Sequence, residues 1–110
     1  MDNLLETEKL LKTGQLSANP EMCVECKAKL SGEYSFFSGI VEDILTRKPK
    51  VWNAMRSNHK SDKACDKEYE ATDDGINEVV LKMKLKRITV LISALNSLLR
   101  LAEGQANNQF

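Results

Sequence analysis

Aromatic side chains are scarce in this sequence. There are six in 110 residues (Tyr34, Phe36, Phe37, Trp52, Tyr69 and Phe110), so any core must be aliphatic. Proline occurs only at positions 20 and 49, which leaves long stretches open to helix. No run reaches the ~18 consecutive apolar residues of a membrane-spanning helix, so no membrane partner is expected. The opening MDNLLETEKLLK lacks the basic start and apolar run of a secretory signal. Cysteines number three, an odd count, and with no such signal they point to the reducing cytoplasm rather than to a disulfide scaffold.

Equipment for catalysis is equally sparse. His59 is the single histidine, and no Gly-rich phosphate loop or HExxH motif is present, so no enzymatic activity and no cofactor are expected. Cys23-x-x-Cys26, His59 and Cys65 include the ligand types of a Cys₃His zinc site. The first pair, however, sits on an apolar helical seam, and His59 and Cys65 do not form a tight knuckle, so buried thiols are the simpler reading. Glu68, Glu70, Asp73 and Asp74 lack the spacing of a calcium loop and read as a solvated helix start.

Net charge is also absent, since 16 basic residues balance 16 acidic ones, but the charge comes in blocks. Residues 1–46 sum to −4, 47–67 to +5, 68–79 to −5 and 80–110 to +4. Neutrality argues against an indiscriminate polyanion binder and leaves room for a local basic patch.

The chain is organised around 73–103, DDGINEVVLKMKLKRITVLISALNSLLRLAE. Ile76, Val80, Met83, Leu91, Ala94, Leu95, Leu98 and Leu101 or Ala102 mark an apolar helical face, with Lys82, Lys86, Thr89, Ser93 and Arg100 opposite. The alternation of residues 81–85 would suit a strand, but a periodicity held for about 30 residues is too long for one. Leu81, Leu85, Ile88, Ile92 and Leu99 lie beside the first face, a width that implies several neighbouring helices, some from another copy of the chain. Lys84 and Arg87 lie toward the apolar flank, where acids of that copy would meet them.

Upstream, Asn19-Pro20-Glu21 opens a helix expected to run to Arg47, where Lys48-Pro49 ends it. Its seam is Cys23, Cys26, Leu30, Phe37, Ile40 or Val41, and Ile44. Across from the seam runs a stripe of small residues, Ala28, Gly32, Ser35 and Gly39. Glycine inside a helix costs about 1 kcal/mol relative to Ala, so the stripe implies either close packing against another helix or a kink near Ser31-Gly32. Pro49 is expected to open a short helix through Trp52 and Met55, followed by a loop at 57–62. In the charged segment 63–71 the buriable groups are Ala64, Tyr69 and Cys65, and Thr72 then caps the long helix. Residues 1–18 read as a weakly amphipathic helix ending near Gly14, either a docking arm or a frayed terminus. Residues 105–110 read as a polar tail.

The expected fold is therefore all-α, one helical domain over 1–110. Two long antiparallel helices are joined by a basic region with a short helix, and the whole self-associates as a helical bundle. The oligomer interface is expected at Gly32, Gly39, Ile88, Leu91, Leu95 and Leu98. Single-stranded nucleic acid needs cations along its backbone and flat side chains on which bases stack. Arg47, Lys48, Lys50, Arg56, Lys60 and Lys63 around Trp52, with Lys82 and Lys86 on the long helix, supply those types.

Lys60 to Ala64, Thr72 to Gly75, Lys84 to Lys86, Ser93 to Leu95 and Asn108 to Phe110 resemble the pattern of a type of small helical protein encoded by tailed phages. Tyr34 and Phe36-Phe37-Ser38-Gly39, ahead of a long C-terminal helix, resemble the recombination mediators of T-even-type phages (the UvsY family). That resemblance implies a helical oligomer that binds single-stranded DNA and helps to load a recombinase, a protein partner in the cytoplasm of an infected host cell. Those mediators carry a dense basic stretch near the aromatic-Ser-Gly element. Here Ile40-Val41-Glu42-Asp43 follows it, so DNA contact is expected at 47–67 and 82–87 instead. Sequence thus points to a non-enzymatic accessory protein of DNA recombination or replication that binds single strands weakly. The alternative is a structural or adaptor helical oligomer that binds no nucleic acid.

Overall fold

The computed structural model describes residues 2–107, with side chains through residue 104. Among these residues the regular structure is all helix: α1 (Asn3–Lys12), α2 (Pro20–Arg56), α3 (Asp62–Glu70) and α4 (Asp73–Asn107). The two long helices run antiparallel, the early part of α2 grouping with the late part of α4. Residues group into two compact units, one formed by 1–35 with 84–110 and the other by 36–83.

In the first unit, Asp2 caps α1 by accepting from the Leu5 amide at 3.1 Å. The Asn3 amide also donates to Glu33 Oε1 at 2.7 Å, tying the start of α1 to α2. Gly14, at φ +74, ends α1 in the left-handed conformation. The Gly14 amide then reaches Leu11 O and the Gln15 amide reaches Leu10 O, both at 3.2 Å, satisfying carbonyls the helix would otherwise leave open. Asn19 Oδ1 accepts from Met22 at 3.1 Å and starts α2, with Pro20 in its first turn. Leu4, Leu16, Cys23, Cys26, Leu30, Ile88, Leu91 and Leu95 are buried here. The N-terminal segment is therefore packed, not frayed.

In the second unit, Val41, Ile44, Cys65 and Tyr69 form the buried centre. Ser61 caps α3 by accepting from Ala64 at 3.2 Å. Thr72 Oγ1 accepts from Gly75 at 3.1 Å and opens α4. The turn between α3 and α4 is so tight that a Cβ on Gly75 would stand 2.1 Å from Tyr69 O. Only glycine fits there.

Three local expectations are corrected. Helix α2 does not end at Lys48-Pro49 but continues to Arg56, so the short helix expected at 49–55 is its last part; the short connecting helix is α3. Proline lacks the amide that would meet the Leu45 carbonyl, and both Leu45 and Pro49 are exposed, so water can serve that carbonyl instead. The helix is also unbroken through Ser31-Gly32, so no break explains its glycines. Helix α4 passes Gly104, whose φ is not positive, at the modest cost of an internal glycine. Of the resembling tail, Asn108 to Phe110 lie outside the described residues.

Candidate nucleic-acid interface

The nine residues expected to meet single-stranded DNA divide into two sets. Five are already engaged by carboxylates of the same chain. Arg47 on α2 donates from Nε and Nη2 to the two carboxylate oxygens of Asp74, each at 2.7 Å. This paired fork is the strongest geometry available to a guanidinium. Its hydrogen bonds hold the Asp74 carboxyl below the usual carboxylate range and push Arg47 further up.

One residue on, Lys48 Nζ lies 3.3 Å from Glu78 Oε1 and 4.9 Å from the centre of the Tyr69 ring, where cation–π attraction adds to the ion pair. Lys82 reaches the other Glu78 oxygen at 3.3 Å from one turn further along α4. Burial raises the Tyr69 hydroxyl pKa, and the nearby Glu78 carboxylate raises it further. Trp52 Nε1 donates to Asp66 Oδ1 at 2.7 Å, and the indole is only partly exposed, which reduces the face open to a stacked base. Arg56 spans the loop before α3, donating to Asp62 Oδ1 and to the His59 carbonyl, both at 2.6 Å. The acidic partners Asp62, Asp66, Asp74 and Glu78 come from α3 and the first turns of α4.

The remaining four, Lys50, Lys60, Lys63 and Lys86, are exposed and carry no salt bridge among the described residues. Arg87, expected to meet an acid of another copy, instead pairs with Glu8 of its own α1, its Nε 3.4 Å from Glu8 Oε2.

Residues expected at an oligomer surface are also redistributed. Ile88, Leu91 and Leu95 are closed off inside the first unit, and Leu98 is partly buried, so these are core side chains of the single chain. Gly32 and Gly39 face open space, with nothing of their own chain within 4 Å of a built Cβ. What faces outward instead is apolar and was placed in the core by periodicity: Ile76 is 49% exposed, Val80 42% and Met83 62%. Phe36 and Val79 join them.

Three of the four possible metal ligands are engaged otherwise. Cys23 Sγ donates to Leu16 O at 3.3 Å and Cys65 Sγ to Trp52 O at 3.6 Å, while His59 Nε2 meets Glu68. Burial pushes both thiols up, Cys26 adding to the shift at Cys23 and Asp66 to that at Cys65. Among the described residues no group of three or more His, Cys, Asp or Glu could hold a metal ion, and no helix is long and apolar enough to cross a membrane. No protein-family model, curated protein or solved structure matches the chain.

Proposed function

We propose that this chain is a non-enzymatic helical adaptor that works by joining protein surfaces, including that of a second copy of itself. One observation carries the reading. The cations and the tryptophan best placed to grip a phosphate backbone are satisfied by carboxylates within the chain, while Phe36, Ile76, Val79, Val80 and Met83 present apolar surface to solvent. A phosphate competing for Arg47 or Arg56 must displace a hydrogen-bonded carboxylate. Apolar side chains held outward on rigid helices lose nothing comparable when a protein covers them.

A second reading keeps the chain as a phage-type accessory of DNA recombination or replication, weakly bound to single strands beside a recombinase-type partner. What favours it is the set of four free lysines, Lys50, Lys60, Lys63 and Lys86, together with the resemblance to recombination mediators.

The two readings part in one experiment: fluorescence anisotropy of a labelled oligo-dT strand at about 50 and 200 mM salt. Light scattering reports the protein's mass in the same buffers. The adaptor reading expects self-association and no salt-sensitive DNA binding. Binding that falls steeply with salt, and is lost when Lys50, Lys60 and Lys63 are replaced by Gln, overturns it in favour of the DNA accessory.

A further inference from the structure

Helix α1 does not close completely onto α2. Between them, wholly inside the first unit, lies a cavity of about 190 Å³. Water's share of liquid volume is about 30 Å³, so the space holds roughly six water-sized groups. Leu10 of α1 and Met22 of α2 give it apolar walls, and the buried Thr7 and Cys26 line it beside them.

Thr7 is the polar group that the fold leaves unanswered. Other helical threonines return their hydroxyl to a carbonyl one turn back, as Thr46 does to Glu42 O at 2.7 Å and Thr89 to Leu85 O at 3.0 Å. The Thr7 side chain is 2% exposed and makes no hydrogen bond among the described residues. A hydroxyl withdrawn from bulk water needs a partner, and the cavity is where one can sit.

Charge around the cavity does not cancel. Glu25 and Lys29 line it and pair with each other at 3.4 Å. Glu6, next to Thr7 on α1, also lines it and has no salt bridge among the described residues. Asn3, another lining residue, donates its amide to Glu33 Oε1, while Glu33 Oε2 is shut from solvent without a partner. The excess is negative.

We propose that this cavity binds a short-chain primary ammonium compound of about four carbons, which fits within its roughly six water-sized places. The ammonium group donates to Thr7 Oγ1 and to the Glu6 carboxylate, and the hydrocarbon chain lies against Leu10 and Met22. Excess negative charge disfavours a carboxylate of the same size, and the Lys29 ammonium opposes a second positive group on the ligand.

The inference goes beyond the adaptor reading, and self-association or its absence changes none of the outcomes below. Butylammonium, butanol and butyrate, matched in carbon number, are titrated into the isotope-labelled full chain while NMR follows the Thr7 and Cys26 amides. Butylammonium should shift both saturably at concentrations up to about 10 mM, butanol more weakly and butyrate not at all. Thr7→Val keeps the shape and removes the hydroxyl, and Glu6→Gln removes the charge at an exposed position. Each should weaken butylammonium about tenfold, whereas Glu21→Gln, exposed and outside the cavity, should leave it unchanged. Should Thr7→Val fail to fold, Glu6→Gln alone decides. No saturable shift with butylammonium, butanol or butyrate binding as well as butylammonium, or a Glu6→Gln chain that binds like the parent, overturns the site.

Discussion

Gly75 offers the sharpest test of the packing. In Gly75→Ala the new methyl would lie 2.1 Å from Tyr69 O, 2.8 Å from Glu70 Cα and 2.9 Å from Tyr69 C. All three are backbone atoms, so no side chain can swing away, and the turn between α3 and α4 must open. Overpacking of this kind costs roughly 3 kcal/mol at the upper end of its usual range. Alanine returns about 1 kcal/mol through its better helix propensity. The net loss is about 2 kcal/mol, which for a chain this size lowers Tm by about 8 °C. Gly32→Ala and Gly39→Ala are the controls. Their surroundings are empty, so the same propensity term should raise Tm by about 4 °C each. Thermal melts followed by circular dichroism, on the three variants side by side, read the signs directly. A Gly75→Ala protein that melts as high as the controls would refute the close turn. A fall in Tm at Gly32 or Gly39 that depends on concentration would instead place another copy of the chain on that stripe.

Two further outcomes follow from the interior and from the ion pairs. Leu95→Ala removes a fully buried side chain from the first unit and should cost about 2–5 kcal/mol in urea unfolding; a loss under ~1 kcal/mol would mean the site is not core. Asp74 has a depressed pKa because it accepts from Arg47, so its contribution to stability is complete above the ordinary carboxylate pKa of ~3.9 and disappears as pH falls through the lower folded value. In Arg47→Ala the Asp74 carboxyl should titrate near its ordinary value in an NMR pH series, and the acid-dependent loss of stability below about pH 4 should shrink. An unmoved titration would show that the fork does not form in solution.

Much of the architecture was legible in the residues. The seam of α2 was readable because Cys23, Cys26, Leu30, Val41 and Ile44 fall on one face at helical spacing, while the apolar residues off that face, such as Val24 and Phe36, are scattered and exposed. Helix α4 offered two apolar stripes side by side, and periodicity cannot choose between them. The stripe through Leu81, Leu85, Ile88, Ile92 and Leu99 turns inward, and Leu91 and Leu95 of the other stripe are buried with it, whereas that other stripe's first part, Ile76, Val80 and Met83, turns outward. A signal was present: the outward stripe is interrupted by Arg87, while the inward one holds only Leu and Ile. Pro49 misled because its cost depends on whether the freed carbonyl can be hydrated, which is a matter of exposure.

At the candidate site the residue types were readable but their availability was not. The +5 block at 47–67 and the −5 block at 68–79 adjoin in sequence, and the fold brings members of the two together as Arg47–Asp74 and Lys48–Glu78. Trp52–Asp66 and Arg56–Asp62, by contrast, pair residues within the basic block itself, where a count of net charge hides the acids.

The grouping of residues also sets an order of events during synthesis. The unit of 36–83 is a continuous stretch, so every segment it needs has been made once residue 83 is added. The other unit joins the first 35 residues to the last 27, with the whole of 36–83 between them in sequence. Leu4, Leu16, Cys23 and Leu30 therefore lack Ile88, Leu91 and Leu95 until late in translation. A nascent chain, or one cut short after residue 83, holds those apolar residues without their α4 partners, the kind of exposed surface on which incomplete chains aggregate.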